Sequence, residues 1–240
     1  MRLEDYFSQP QFTTPRRLIL SAEGGQKVGK TTLAMSAIDI GPIALLDYDF
    51  GGEGVLDKYD QSKIWHLPLL SPTSMLLDEN TQHAAYKEAW EKAKNAYYTA
   101  LADARIRNII IDTASEFREA QLLAHFGRLS KNLPRNYGEP NAEMRKLIRA
   151  AYERPDINFI MLHTVKDEYV DDTRTGHKVF SGFNGVPGLV QMVARMWKRD
   201  REYGLTIVDC RHKRSLEGTE IPAVIATFPQ LLNLVHGIEE

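Results

Sequence analysis

The chain predicts an α/β fold in which a mostly parallel central sheet is flanked by helices and followed by a C-terminal antiparallel β extension. Three observations carry this prediction. Short apolar runs at 17–22, 43–47, 108–112 and 158–165 alternate with longer stretches of helical spacing. The run Ile109-Ile110-Ile111 is β-branched throughout, which suits a strand buried on both faces of a parallel sheet. A glycine-bounded loop, Gly24 to Thr31, separates the first apolar run from the first helical one, giving a strand–loop–helix unit.

Residues 1–16 are polar, contain Pro10 and Pro15, and read as an N-terminal arm ahead of one domain spanning 17–240. Within the domain, strand 17–22 leads through the loop to a helix at 30–39. Residues 43–47 and 64–67 read as strands, and 83–104 as a long helix of mixed charge. Strand 108–112 precedes a helix reaching about 128. A basic loop, 128–140, leads to a helix ending near 153, and strand 158–165 follows. Residues 166–185 are polar and contain glycine, as a hairpin would, with 169–170 and 178–180 as arms. A helix is expected at 188–198, a strand at 205–210, and a partner for that strand at 223–228. Strands alternating with helices imply right-handed crossovers.

Bulk properties narrow the function classes. A formal charge of −2 gives no whole-chain attraction to nucleic acid, so any such surface must be local. The single cysteine, Cys210, excludes an internal disulfide and reads as packing rather than a nucleophile. No apolar run approaches the ~18 residues of a membrane span, and the first residues lack a signal-peptide core, so the expectation is a cytoplasmic protein with no membrane partner.

Residues 24–31, Gly-Gly-Gln-Lys-Val-Gly-Lys-Thr, match the phosphate-binding pattern G-x-x-x-x-G-K-[ST] in full. Gly24 and Gly29 let the backbone curl, so that the N–H groups of Gly25, Gln26, Lys27 and Val28 can face a phosphate. Lys30 can reach the β- and γ-phosphates, the Thr31 hydroxyl can bind Mg²⁺, and Thr32 continues the first helical turn. The string predicts nucleotide binding, with ATP and Mg²⁺ as cofactors.

A nucleotide–metal site also needs a carboxylate, and Asp112 ends the most apolar strand, where ligands of such sheets bind. Its alternative role is to cap the next helix. Hydrolysis further needs a group that activates water. Asp49 ranks first, Glu53 second, and Glu116, expected to face along its helix, third. His163 ends strand 158–165 and reads evenly as a γ-phosphate contact or a satisfied strand-end histidine.

This order of motifs resembles the RecA-like P-loop ATPase core, and in particular the short phage proteins with an AAA-type ATP-binding domain that act as single-strand annealing or recombination ATPases. The likeness spans about 17–236. It implies that Gly24–Thr31 is the phosphate loop, that Asp49 is the base where the family usually has glutamate, and that Asp112 holds the metal. It further implies that His163 senses the γ-phosphate where RecA has glutamine. It makes residues 166–185 a mobile DNA loop. It also makes Lys213 and Arg214, in Arg211-His212-Lys213-Arg214, candidate trans-acting fingers, the alternative being a solvated basic turn.

Two loops then read as DNA contacts. Arg128, Lys131, Arg135 and Tyr137 combine cations with a stacking ring. Lys166, Arg174 and Lys178 lie in the second loop among four acids, Asp167, Glu168, Asp171 and Asp172, which weaken its electrostatic case. The resemblance implies single-stranded DNA, a homo-oligomeric ring or filament with ATP between subunits, and a single-strand-binding protein as partners, in a host cell's cytoplasm. The competing readings are a small-molecule or nucleotide kinase, disfavoured by the single arginine in 166–185, and a DNA-translocating motor or helicase subunit, for which no further motif is present.

Overall fold

The computed structural model describes residues 16–48, 50, 52, 54–69, 78–127, 134–170 and 173–237. β1 (Ile19–Gly24) feeds the loop and α1 (Lys30–Met35). β2 (Ile43–Asp47), β3 (Ile64–Pro68), α2 (Glu79–Ala102), β4 (Asn108–Asp112), α3 (Ala114–Phe126) and α4 (Gly138–Ala150) follow. β5 (Asn158–Val170), β6 (Thr173–Phe180), β7 (Met192–Arg199), β8 (Glu202–Cys210), β9 (Glu220–Pro222) and α5 (Phe228–His236) complete the chain.

The strands form one sheet in the order β3-β2-β4-β5-β1-β7-β8-β9, with β6 folded back onto β5. Neighbours from β3 to β7 are parallel, and β7-β8-β9 are antiparallel. This is the expected parallel sheet with its antiparallel extension.

Alternation within β4 shows how the sheet is covered. Ile109 and Ile111 face one core with Trp90, Tyr97, Phe117 and Phe159, under α2, α3 and α4. Ile110 faces the other, with Leu33, Phe228, Leu231 and Leu232, under α1 and α5. Each large apolar side chain so buried contributes about 1.5–3 kcal/mol. On α2, Tyr86, Trp90, Ala93, Tyr97, Ala100 and Leu101 recur at helical spacing, and the Asp78 carboxylate caps the first turn by accepting from the Asn80 and Thr81 N–H groups.

Two expectations fail. The helix expected at 188–198 is strand β7. Met192, Val193, Ala194 and Met196 are buried, and the backbone from Met192 to Met196 pairs with β1. A short buried apolar run looks alike in helix and strand, and the unpaired edge of β1 decides for strand. The partner of β8 is Glu220–Pro222, not 223–228. Val224 and Ile225 lie exposed on the turn after it, and Phe228 opens α5 beneath a Thr227–Gln230 capping box. The hairpin at 166–185 is present, with longer arms than the sequence suggests, because β5 runs on to Val170.

Candidate functional site: a nucleotide cradle at the carboxyl edge of the sheet

β1 ends in Gly24 because nothing larger fits: a Cβ there would lie 2.8 Å from the Met196 carbonyl oxygen and 2.9 Å from a Val28 methyl. The loop then turns through Lys27, at φ 57°, and Gly29, at φ 93°, the left-handed region where glycine carries no steric penalty. α1 starts at the next residue, so its first turn points at the mouth of the loop.

The Lys30 ammonium donates to the Gly24 and Gly25 carbonyls at 3.1 and 2.6 Å, which holds it within the loop. The Thr31 hydroxyl donates to Asp112 Oδ2 at 2.6 Å. This hydrogen bond joins the end of the loop to the end of β4 across 81 residues of sequence. Both groups are hard oxygen donors of the kind Mg²⁺ takes, and a nucleotide's phosphates would supply further oxygens. Among the described residues, no cluster of three or more His, Cys, Asp or Glu could hold a metal unaided.

Between these elements lies a cavity of about 540 Å³. Its loop wall runs from Gln26 through Lys30 to Thr31 and Thr32. Asp112, Thr113 and Glu116, from the end of β4 and the start of α3, line it too, with Thr164 and Val55. Thr113 caps α3, its hydroxyl accepting from the Glu116 N–H at 3.2 Å, so the capping role open to Asp112 on sequence grounds belongs to its neighbour.

His163 sits behind this wall. It is buried, its ring packs on Phe180 at 4.4 Å, and neither ring nitrogen has a hydrogen bond of normal geometry. Burial pushes its pKa down to about 3, with the Ser181 backbone opposing and Lys30 adding to the effect, so the ring is neutral. Thr164, not His163, opens on the cavity.

Asp47 ends β2 beside Asp112. One of its oxygens faces His66 Nε2 at 3.0 Å, and the other is buried with no partner. Asp49 and Glu53 lie outside the described residues. Glu116, ranked third from sequence, lines the cavity.

The DNA-contact candidates divide. Arg128 and Lys131 lie outside the described residues, as does the Arg135 side chain. Tyr137 is half-buried, its ring edge-on to Phe126 at 5.6 Å. On the hairpin, Asp167 accepts from Arg174 at 2.9 Å and pairs with Lys178, so two of its three candidate cations are partly neutralised. Lys166 is exposed beside them. Exposed pairs of this kind are worth only about 0–1 kcal/mol.

Lys213 and Arg214 do not reach the cradle of their own chain. β8 runs antiparallel, so Cys210 pairs with Met192, which pairs with Leu20, at the far edge of the sheet. Cys210 itself is fully buried, in keeping with packing. Sequence reasoning missed Thr113, Thr164 and Val55 as cavity walls. It also missed the buried Glu23, whose carboxylate accepts from Arg195 at 2.6 and 2.9 Å directly beneath the loop.

With phosphate loop, paired Thr31 and Asp112, and strand order in place, residues 16–218 match the AAA domain family. The chain belongs to the AAA domain family. It is a P-loop ATPase built on a mostly parallel α/β sheet. Solved structures similar to this AAA chain include a RadB recombinase, at 13% identity over 87% of each chain with a TM-score of 0.47. A type III secretion ATPase of pathogenic bacteria is 15% identical, covering 75% of this chain and 51% of that one, at a TM-score of 0.49. EscN of enteropathogenic E. coli is 14% identical, covering 75% and 43%, at a TM-score of 0.46. The AAA chain thus spans about half the length of the secretion ATPases it resembles. No curated protein matches it in sequence. Among the described residues, no helix is long and apolar enough to cross a membrane.

Proposed function

We propose that this ATPase binds single-stranded DNA under the control of its nucleotide and supports homologous recombination of the phage type, by strand annealing or exchange. One observation carries the reading: the wall of the cradle and the root of the β5–β6 hairpin are the same piece of structure. Ser115, in the first turn of α3, donates to the Ser181 carbonyl at 2.6 Å and accepts from the Thr164 N–H at 3.0 Å. Thr164 lines the cavity, and Ser181 follows directly on the hairpin. A γ-phosphate that moves this wall moves the hairpin with it, which is the ordering of a segment by nucleotide.

In this reading Lys30 grips the β- and γ-phosphates, Thr31 and Asp112 hold Mg²⁺, and His163 relays occupancy to Phe180 and the hairpin. Lys166, with Arg174 and Lys178 released from Asp167, and the loop around Tyr137 take the DNA backbone and bases. Lys213 and Arg214, remote from their own cradle, serve a neighbouring subunit of a ring or filament in which ATP lies between protomers. The domain runs from 17 to 240, with 1–16 as an arm, and works in a host cytoplasm beside a single-strand-binding protein.

The test is retention of labelled single strands on filters with and without ATP, together with ATPase rate against added single-stranded DNA. ATP should change retention, and DNA should raise turnover. Equal retention together with unstimulated turnover rejects the coupling.

A further inference from the structure

We propose that Glu116 is the carboxylate that takes the proton from the attacking water. The inference rests on the ATP hydrolase reading and names a residue for its chemical step.

Two acids among the described residues line the cavity, Asp112 and Glu116. Asp112 accepts from the Thr31 hydroxyl through Oδ2 and is committed to that side of the cradle. Glu116, in the first turn of α3, lines the same cavity as Lys30. Asp47 and Glu23, the other acids near this edge, do not line the cavity.

The position of Glu116 is built rather than incidental. Its N–H is held by the Thr113 cap, and Thr113 is itself part of the wall. Its neighbour Ser115 is fixed on the other side to Thr164 and Ser181. The first turn of α3 is thereby clamped between β4 and β5, so the carboxylate is presented by a rigid element, as catalytic geometry requires. A side chain on a free surface turn would have no such anchoring.

In the hydrolytic step the water oxygen forms a bond to the γ-phosphorus while the bond from that phosphorus to the β–γ bridging oxygen breaks. The leaving oxygen keeps the electron pair on ADP. Glu116 takes one water proton and later releases it to solvent, leaving inorganic phosphate.

The experiment measures phosphate release and nucleotide affinity, the latter with a fluorescent ATP analogue, for wild type, Lys30→Ala, Glu116→Gln and Glu116→Asp, with Asp49→Asn and Glu53→Gln alongside. Glu116→Gln keeps the shape and removes the base. Its turnover should fall by about 100-fold or more while affinity stays within about three-fold. Glu116→Asp should keep part of the turnover, which also covers the case of a glutamine variant that fails to fold. The assignment is overturned if Glu116→Gln turns over within about three-fold of wild type. It is equally overturned if Asp49→Asn or Glu53→Gln alone causes the large loss. A wild type without turnover that Lys30→Ala can remove overturns the hydrolase reading as well, so the two failures are told apart.

Discussion

The two edges of the parallel sheet use polar residues in opposite ways. At the amino edge, Asn108 donates to the Ala37 and Gly41 carbonyls, and Asn158 donates to Asn108 while accepting from the Leu18 N–H. Gln191 accepts from the Ile19 N–H, and Arg17 donates to the Tyr152 and Arg154 carbonyls. These side chains finish backbone hydrogen bonding where strands begin, and of them only Arg17 Nε is left without a partner. At the carboxyl edge, both His163 nitrogens and one Asp47 oxygen are buried without a hydrogen bond of normal geometry, and Lys30 rests on loop carbonyls. Leaving such groups unmade costs about 1–3 kcal/mol each. One edge spends its polar groups on stability, and the other holds them in a geometry that a ligand can use.

The sharpest way to break this comparison is at Lys30. Lys30→Ala should lower phosphate release by about 100- to 1,000-fold, the usual loss on removing one group that stabilises transition-state charge. Its melting temperature should stay near that of wild type, because Lys30 lines the cavity and water there can replace it on the Gly24 and Gly25 carbonyls. A variant that melts early and hydrolyses normally once folded would put Lys30 in the class of Asn158.

Asn158→Ala is the mirror test. It leaves the Leu18 N–H and Asn108 Oδ1 without partners in a fully buried setting, at a combined cost of about 2–4 kcal/mol. For a chain of this length that is a drop of roughly 5–15 °C in melting temperature. Turnover per folded molecule should be kept. Lost turnover at unchanged stability would dissolve the distinction between the edges.

His163 gives a pH handle of intermediate size. Its folded pKa, about 3, lies below the ordinary 6.5, so below pH 6.5 the unfolded chain binds a proton that the folded chain does not. Stability is therefore fully present above the unfolded value, falls as pH drops through 6.5, and goes on falling to about 3. Between about pH 6.5 and pH 5 this one ring accounts for about 2 kcal/mol. His163→Gln should remove that slope, read as the difference in urea midpoint between the two pH values. Parallel slopes for wild type and variant would mean that the ring is not buried as described.

How far the sequence foretold this arrangement follows from what periodicity can carry. The phosphate loop, Asp112 and the β-branched core strand are contiguous signals, and the fold built on them appears as expected. β7 was obscured because its buried run has no alternation on which to choose between helix and strand. Thr164 was obscured for another reason: it becomes a cavity wall only when β4 and β5 lie side by side, next to Glu116, which the sequence ranked third. The partial neutralisation of Arg174 and Lys178 depends on the hairpin register that brings both to Asp167. The remoteness of Lys213 and Arg214 depends on the reversed direction of β8. Local chemistry was legible, and pairing across the sheet was not.

The smallest effect tests the joint between the cradle and the hairpin. Ser115 touches neither nucleotide nor DNA in the proposed cycle, yet its hydroxyl joins Thr164, on the cavity wall, to Ser181, at the foot of β6. Ser115→Ala deletes that joint at a net cost of about 1 kcal/mol, or roughly 2–4 °C in melting temperature. If the joint transmits, the ratio of turnover with and without single-stranded DNA should fall toward one, a change out of proportion to the small loss of stability. Asn158→Ala, though more destabilising, should leave that ratio alone, since it acts at the edge that only closes the structure. An unchanged ratio in Ser115→Ala would show that the hairpin learns of the nucleotide by another route, with the stack of His163 on Phe180 the next contact to cut.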